Sequence, residues 1–188
     1  MTIAVIGWGS LIWNPESLRL ASPWFKDGPC VPVEFARQSN DGRLTLVVHG
    51  DKRVQTLWAE LPETDIDAAR QVLGWREGCV KRSNNTLLSR HIGWWTPDGR
   101  SKDLDYPFGH DIDIEDWANS KGLAGAVWTA LPPKFLDTRG RAPSQTQAIE
   151  YLASLKGPAR DLAFEYIRKA PKQIQTPYRE AFENRFKL

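Results

Sequence analysis

The order in which strand patterns and helical patterns occur limits the fold of this chain more than any other feature. Strand patterns fill the first two thirds, and helical patterns dominate residues 144–188. The predicted strands are Ile3–Ile6, Val31–Arg37, Leu44–His49, Val54–Leu61, Leu87–Trp95 and Leu123–Leu131. Strands followed by helices are typical of the α+β class. We therefore predict a curved or barrel-like mixed sheet of five to six strands, with helices packed beside it.

One helix and one surface excursion are predicted among the strands. Thr64 and Asp67 form a capping pattern, which predicts a helix over Asp65–Leu73. Residues 96–121 are rich in acidic residues, glycine and proline, which is typical of a surface excursion. We expect one helical turn in that excursion, near Ile114–Ala118.

The last third of the chain has the start and stop signals of a helical part. Ser144 and Gln147 form a second capping box, followed by apolar residues at helical spacing. Further helices are predicted over Ala159–Lys169, with Tyr166 on the apolar side, and over Tyr178–Phe186. This part should therefore pack as helices against the sheet.

Composition bounds the classes of function. The chain has 188 residues, of which 41% are hydrophobic, and this predicts one domain over residues 1–188. Its 25 basic and 23 acidic residues give a net charge of +2, which does not favour binding to nucleic acid. No apolar run approaches the roughly 20 residues that cross a bilayer, and we expect no secretory signal. Two cysteines, Cys30 and Cys79, suit neither a disulfide framework nor a metal site, which favours a cytoplasmic protein.

A glycine turn, Gly7-Trp8-Gly9-Ser10, directly follows the first predicted strand. Glycines allow positive φ and the close approach of a ligand, and successive N–H groups in such a turn bind carboxylate or phosphate oxygens. A dinucleotide fingerprint would need a third glycine where Ile12 stands, so that interpretation is poor. A ligand site and a simple strand-to-helix connection explain the turn equally well.

The heptapeptide from Gly7 to Trp13, GWGSLIW, resembles the G-Y-G-S-L-[IV]-W signature of the γ-glutamylcyclotransferase superfamily, most closely its ChaC-like branch. The resemblance implies the fold of that family and the conversion of a γ-glutamyl compound, such as glutathione, to 5-oxoproline without a metal or organic cofactor. It also implies that the turn binds the α-amino and α-carboxylate groups of the substrate, largely through its backbone. The substrate-binding residues carried over in this way are Val5, Ile6, Gly7, Trp8, Gly9, Ser10 and Leu11.

A second segment carries the resemblance further. Trp75–Lys81, WREGCVK, follows the first long predicted helix, where the family has its catalytic glutamate. The resemblance therefore implies that Glu77 is the catalytic acid and base. Trp8 departs from the family, which usually has tyrosine there. An indole only donates hydrogen bonds, whereas a phenol also accepts them, so this departure bears on substrate and activity.

The implied reaction needs a proton carrier but no protein nucleophile. The α-amine of the substrate attacks its own γ-carbonyl, so the protein supplies geometry and proton transfer. One carboxyl group can take the proton from the ammonium and return it to the leaving nitrogen, if an apolar pocket raises the pKa of that carboxyl toward neutrality. Since neighbouring cations favour an ionised carboxylate, we expect Arg76 and Lys81 to face away from Glu77. The residues alone also allow a surface carboxylate paired with Arg76 or Lys81.

Other reactive residues point to different classes of protein. Cys79 with a histidine would indicate a thiol hydrolase, but a buried inert thiol is the simpler interpretation. His110 has three aspartates nearby in what we expect to be a solvated loop, and no histidine has metal-ligand spacing. The basic residues at 139–141 fit either a contact with a substrate carboxylate or an exposed loop. A non-catalytic ligand-binding or interaction protein of the same fold stays open.

Nine tryptophans are an unusually large share of 188 residues. Trp8 and Trp13 lie in the glycine motif, and Trp75 precedes Glu77 by two residues. We expect these three tryptophans to line or adjoin one pocket. The remaining six are predicted to be core residues or to cover the sheet.

Overall fold

The computed structural model describes residues 2–80, 86–104 and 112–188. Within these ranges, nine strands form two mixed sheets of five and four strands, and six α-helices accompany them. The predicted α+β class is confirmed. The prediction of one sheet of five to six strands is wrong, because the chain divides its strands between two sheets.

The first sheet has both faces buried. Its strands are β1 (Ile3–Gly7), β4 (Leu57–Leu61), β5 (Ile92–Thr96), β6 (Gly99–Arg100) and β7 (Gly125–Thr129), in the order β4-β1-β7-β5-β6. The inner strand β1 runs parallel to β7 and antiparallel to β4. Alternate residues of β1 enter different cores, with Ala4 and Ile6 in one and Ile3 and Val5 in the other. This explains why every residue of the predicted first strand is apolar.

The second sheet consists mainly of one long hairpin. Its strands are β2 (Cys30–Gln38), β3 (Leu44–Gln55), β8 (Lys134–Phe135) and β9 (Thr138–Arg139), in the order β3-β2-β8-β9. The prediction of one strand over Val54–Leu61 is wrong, because the chain passes from the second sheet to the first at Thr56. The N–H and the hydroxyl of Thr56 both donate to the carbonyl oxygen of Pro29, at 3.1 and 2.7 Å. These two bonds replace strand pairing at the crossing.

The helices follow the predicted signals at most of their ends. They are α1 (Ile66–Arg76), α2 (Thr86–His91), α3 (Ile112–Ser120), α4 (Gln145–Ser154), α5 (Gly157–Lys169) and α6 (Pro177–Phe186). The capping box of Ser144 and Gln147 is confirmed at the start of α4. Asp65, rather than Thr64, caps α1 by accepting a hydrogen bond from the N–H of Ala68. None of the described helices combines the length and the apolar character that crossing a membrane requires.

The predicted strand Leu87–Trp95 is wrong in its first half. Residues up to His91 belong to α2, and only the remainder pairs with β7 as β5. Gly93 lies against the fully buried indole of Trp128, where a Cβ atom would overlap the ring. The start of the strand therefore coincides with the contact to this ring. Because Trp128 is distant in sequence, the composition around Gly93 does not predict where the strand starts.

The predicted excursion over residues 96–121 is wrong for its second half. The helix α3 is longer than the single turn expected, and the side chains of Ile114 and Ala118 are fully buried in the core. Trp117 packs edge-on against Trp58, with ring centroids 5.5 Å apart. Residues 105–111, and with them the predicted loop position of His110, lie outside the described residues.

A buried carboxylate connects the second sheet to the C-terminal helices. One oxygen of Glu34, on β2, accepts from the Thr176 hydroxyl at 2.6 Å and from the N–H of Phe35 at 2.8 Å. Its other oxygen accepts from the N–H of Tyr178 at 3.2 Å. Burial raises the pKa of Glu34, and these hydrogen bonds oppose the shift. The carboxylate thereby fixes the start of α6 against β2.

Candidate functional site

A cavity of about 280 Å³ opens at the edge of the first sheet where the parallel strands β1 and β7 end. One wall contains the turn after β1, the end of α1 and the residues that follow β7. The facing wall comes from the hairpin of β2 and β3, and α5 contributes Tyr166. The cavity therefore lies between the two sheets and collects residues that are far apart in sequence.

The structure brings most of the predicted binding residues to this cavity. Those that line it are Ile6, Gly7, Trp8, Gly9, Ser10 and Leu11. Val5 does not line it, because its side chain points to the opposite face of β1 and packs in the core that contains Leu73 of α1. The period-two alternation of a strand separates Val5 from its neighbours in this way.

The two glycines of the turn serve close packing rather than unusual dihedral angles. Neither glycine has a positive φ, and Gly9 has φ −127° and ψ −141°. A Cβ atom on Gly7 would lie 2.7 Å from Ile12 Cδ1, and one on Gly9 would lie 2.5 Å from Tyr166 Oη. Hence the expectation of positive φ is wrong for this turn. The space beside each glycine is filled by protein side chains, and the close approach of a ligand stays a prediction.

The backbone after the glycines forms a short 3₁₀ turn over Ser10–Ile12. The N–H of Ile12 donates to Gly9 O at 3.0 Å, and no side chain of the described residues caps the turn at its start. The Ser10 hydroxyl instead accepts a hydrogen bond from Arg76 Nη2 at 3.1 Å. The turn is thereby connected to the end of α1.

Tyr166 places a phenol on this turn that the sequence did not predict for the site. The phenol is almost fully buried, and its oxygen accepts from the backbone N–H of Leu46 at 3.3 Å. Burial raises the pKa of Tyr166 to about 12, so the hydroxyl keeps its proton at neutral pH. Within the described part of the chain the hydroxyl has no acceptor of its own, and it lines the cavity. Its O–H is therefore available to a molecule bound there.

Trp8 supports the same region through a different contact. Its indole Nε1 donates to the carbonyl oxygen of Leu46 at 3.3 Å, and only 5% of the residue is exposed. Leu46 thus accepts from Trp8 and donates to Tyr166. The indole and the phenol together occupy both hydrogen-bonding groups of one residue in β3, which fixes the wall facing the glycine turn.

Glu77 lines the cavity at the C-terminal end of α1. Its Oε1 lies 2.6 Å from Arg76 Nη1, and only 9% and 11% of the Arg76 and Glu77 side chains are exposed. The expectation that Arg76 faces away is therefore wrong. Arg76 turns inward because its Nη2 also donates to Ser10 Oγ and, at 2.8 Å, to Asn14 O. Lys81 lies outside the described residues.

A directional chain of hydrogen bonds reaches Glu77 from the surface. Arg139 Nη2 lies 2.6 Å from His91 Nε2, and because a guanidinium only donates, Nε2 accepts. His91 then has its proton on Nδ1, which lies 3.7 Å from Cys79 Sγ. The thiol in turn donates to the backbone oxygen of Glu77 at 3.7 Å. This chain supports the backbone that follows α1.

The contacts of Cys79 confirm a buried thiol. Only 2% of the residue is exposed, and burial, with the charge of Glu77, raises its pKa to about 12. A thiolate nucleophile needs the opposite environment. His91 donates toward the sulfur instead of taking its proton. The arrangement therefore does not suit a thiol hydrolase.

The tryptophans divide as expected except at one position. Trp8 and Trp13 line the cavity. Trp75 does not line it, and 56% of its surface is exposed. Trp94 and Trp95 enter opposite cores, as neighbours on a strand must. The excess of tryptophan therefore reflects two cores as much as the site.

Sequence reasoning missed Arg37 and Tyr166, which line the cavity from β2 and α5. The position of Tyr166 on the apolar side of a helix could have predicted a buried hydroxyl beside a polar group, because a buried hydroxyl needs a polar partner. No comparable signal marks Arg37, since nothing in the neighbouring sequence shows that its side chain reaches a cavity. Both residues reach the site through contacts between distant segments.

Two comparisons with known proteins identify no relative of this chain. No family model and no curated protein matches the chain. In the described ranges no cluster of histidine, cysteine, aspartate and glutamate has the composition of a metal centre. The chemistry of the cavity must therefore be argued from its own residues.

Proposed function

We propose that this protein is a γ-glutamylcyclotransferase, which cyclises the γ-glutamyl group of a peptide or amine to 5-oxoproline and releases the amine. One observation carries the proposal. The glycine turn and Glu77 are far apart in sequence, but they line the same cavity, and Arg76 connects them by donating to Ser10 and to Glu77. The GWGSLIW motif supports the same activity through its resemblance to that superfamily.

The reaction uses the ion pair of Arg76 and Glu77 at its first step. Glu77, which accepts a hydrogen bond from Arg76 Nη1 at 2.6 Å, takes a proton from the α-ammonium of the substrate. The free amine attacks the γ-carbonyl carbon and forms the carbon–nitrogen bond of the lactam. The bond to the leaving nitrogen then breaks. The attacking nitrogen keeps one hydrogen as the lactam N–H, and its other proton, together with the proton that Glu77 returns, passes to the leaving nitrogen, which departs as an ammonium. No proton or electron is gained or lost overall.

Tyr166 supplies a donor for an oxygen of the bound substrate. Charge develops on the γ-carbonyl oxygen during the attack, and a fixed hydrogen-bond donor lowers the free energy of that state. Arg43 lies 5.6 Å from the centroid of the phenol ring, and Trp13 packs edge-on against it. These contacts fix the ring. The phenol from α5 therefore supplies a hydroxyl that Trp8 lacks.

The proposal also covers the substrate, the cofactors, the partners and the cellular location of the enzyme. Its substrate is a small molecule, glutathione being one candidate, and the proposed chemistry uses neither a metal nor an organic cofactor. Nucleic acid is not a proposed partner, because the net charge of +2 provides no general attraction to phosphate. A cytoplasmic location is consistent with Cys30 and Cys79, which are both unpaired thiols.

One observation favours a second candidate, a non-catalytic protein that binds the same ligands. The inward guanidinium of Arg76 already occupies one oxygen of Glu77. In that case Glu77 would orient Arg76, and the cavity would bind a γ-glutamyl compound without converting it. The two candidates differ only in turnover.

The experiment follows 5-oxoproline released from γ-glutamyl dipeptides and glutathione. We expect turnover by the wild type and a loss of at least 100-fold in Glu77→Gln, a typical order for removing a general acid and base. Glu150→Gln, at an exposed position of α4, serves as the matched control and should keep wild-type activity. Turnover that survives in Glu77→Gln would remove this residue from the mechanism. Binding without turnover by the wild type would favour the second candidate.

A further inference from the structure

Three guanidinium groups, of Arg37, Arg43 and Arg76, line the cavity, and they differ in their partners. Arg43 pairs with Asp41, with Nη2 2.7 Å from Oδ2 and Nε 2.9 Å from Oδ1. Arg76 pairs with Glu77. No carboxylate of residues 2–80, 86–104 and 112–188 forms an ion pair with Arg37. Arg37 is therefore the cation of this cavity that a bound anion would neutralise.

The hydrogen bonds of Arg37 leave most of its donors for a ligand. Its Nη1 donates to the carbonyl oxygen of Pro132 at 2.7 Å, which fixes the guanidinium beside the loop after β7. A guanidinium has five N–H donors in a planar fork that matches a carboxylate. The pKa of Arg37 is lowered by burial and by the neighbouring charge of Arg139. A half-buried charge of this kind is stabilised when an anion binds.

The position of Arg37 determines which part of a substrate it meets. Arg37 belongs to β2, on the wall that faces the glycine turn, and its charge interacts with that of Glu77. In the proposed reaction the turn binds the glutamyl group, and Glu77 contacts the leaving nitrogen. The groups attached to that nitrogen then extend away from the turn, toward β2.

We propose that Arg37 binds a carboxylate of the leaving group, so that the enzyme acts on γ-glutamyl amino acids and peptides in preference to γ-glutamyl amines. This inference rests on the proposed function for the direction of the substrate in the cavity. The planar fork of Arg37 would form charge-assisted hydrogen bonds with the carboxylate. A leaving group without this carboxylate would leave Arg37 unpaired.

Two substrates that differ only in the carboxylate test the inference. γ-Glutamylalanine and γ-glutamylethylamide have the same leaving group apart from this one group. We expect the wild type to prefer γ-glutamylalanine by about 10- to 100-fold in kcat/KM, the range of a charge-assisted hydrogen bond. Arg37→Gln should abolish the preference and Arg37→Lys should keep part of it. Arg53→Gln, at an exposed position of β3, should keep all of it.

The same two compounds are also titrated by calorimetry into the Glu77→Gln variant, with and without Arg37→Gln, so that binding is measured without turnover. Equal kcat/KM for both compounds in the wild type would overturn the role of Arg37 and leave the proposed function intact. An equal loss for both compounds in Arg37→Gln would assign Arg37 to the glutamyl group and overturn the inference. If Glu77→Gln binds γ-glutamylalanine preferentially through Arg37 but the wild type turns over neither compound, the anion site is supported and the proposed function is refuted. If the protein neither binds nor converts these compounds, both the inference and the proposed function are refuted.

Discussion

Arg76 connects the glycine turn to α1, and replacing it by methionine tests this connection directly. The substitution keeps an apolar stem of similar length but removes the guanidinium from Glu77 Oε1, Ser10 Oγ and Asn14 O, which lie at 2.6, 3.1 and 2.8 Å. The side chains of the ion pair are only 9% and 11% exposed. Removal of one partner therefore leaves a nearly buried charge without compensation.

The expected cost follows from this burial. Breaking a buried ion pair by removing one partner lowers the free energy of unfolding by about 3–5 kcal/mol. For a chain of this length, that loss corresponds to a decrease of about 6–20 °C in Tm. Arg100→Met provides the matched control, because the Arg100–Glu115 pair is 42% and 40% exposed and should contribute about 1 kcal/mol or less.

Urea unfolding, followed by tryptophan fluorescence, measures both variants under the same conditions. The double variant Arg76→Met/Glu77→Gln removes the uncompensated carboxylate and should regain part of the stability lost in Arg76→Met. A loss in Arg76→Met no larger than that in Arg100→Met would refute the reasoning. It would mean that solvent screens the pair and that Arg76 does not secure the turn.

Two further predictions concern the buried ionisable groups of Glu34 and Cys79. The free energy of unfolding should decrease as the pH rises from the ordinary Glu34 pKa of 4.5 through its raised native value, because the native state binds this proton more tightly than the unfolded chain. Urea titrations between about pH 4 and 7 should show a steeper decrease for the wild type than for Glu34→Gln, and parallel curves would contradict this. Iodoacetamide should alkylate only the exposed Cys30 in the native protein, since the pKa of Cys79 is about 12. Mass spectrometry after unfolding should find both thiols modified, and rapid modification of native Cys79 would exclude its burial.

The elements with strong local signals were predictable from the sequence. The capping box at Ser144 and Gln147 starts α4 where expected, because its hydrogen bonds are local. The apolar segment Ile3–Ile6 predicted the strand that became β1. It could not show that the two faces of that strand enter different cores, since this depends on the second sheet. The division of Val54–Leu61 at Thr56 depends in the same way on Pro29, a distant partner.

Residues of the candidate site were predictable only where they belong to a short motif that can be recognised in one segment of the sequence. The glycine turn and Glu77 were identified from motifs and line one cavity. The orientation of Arg76 was mispredicted, because neighbouring residues in sequence do not reveal acceptors such as Asn14 O. Tyr166 and Arg37 were missed, since their roles depend on contacts with Leu46 and Pro132 that span 120 and 95 residues.

The contact between Tyr166 and the wall of the cavity also determines when the site can exist during synthesis. The glycine turn leaves the ribosome before α5, the helix that contains its phenol. Contacts so far apart in sequence form only after a long loop has closed. A growing polypeptide therefore has no complete cavity until α5 has emerged. A product that ended before residue 166 would contain the turn and Glu77 without the hydroxyl that packs against Gly9.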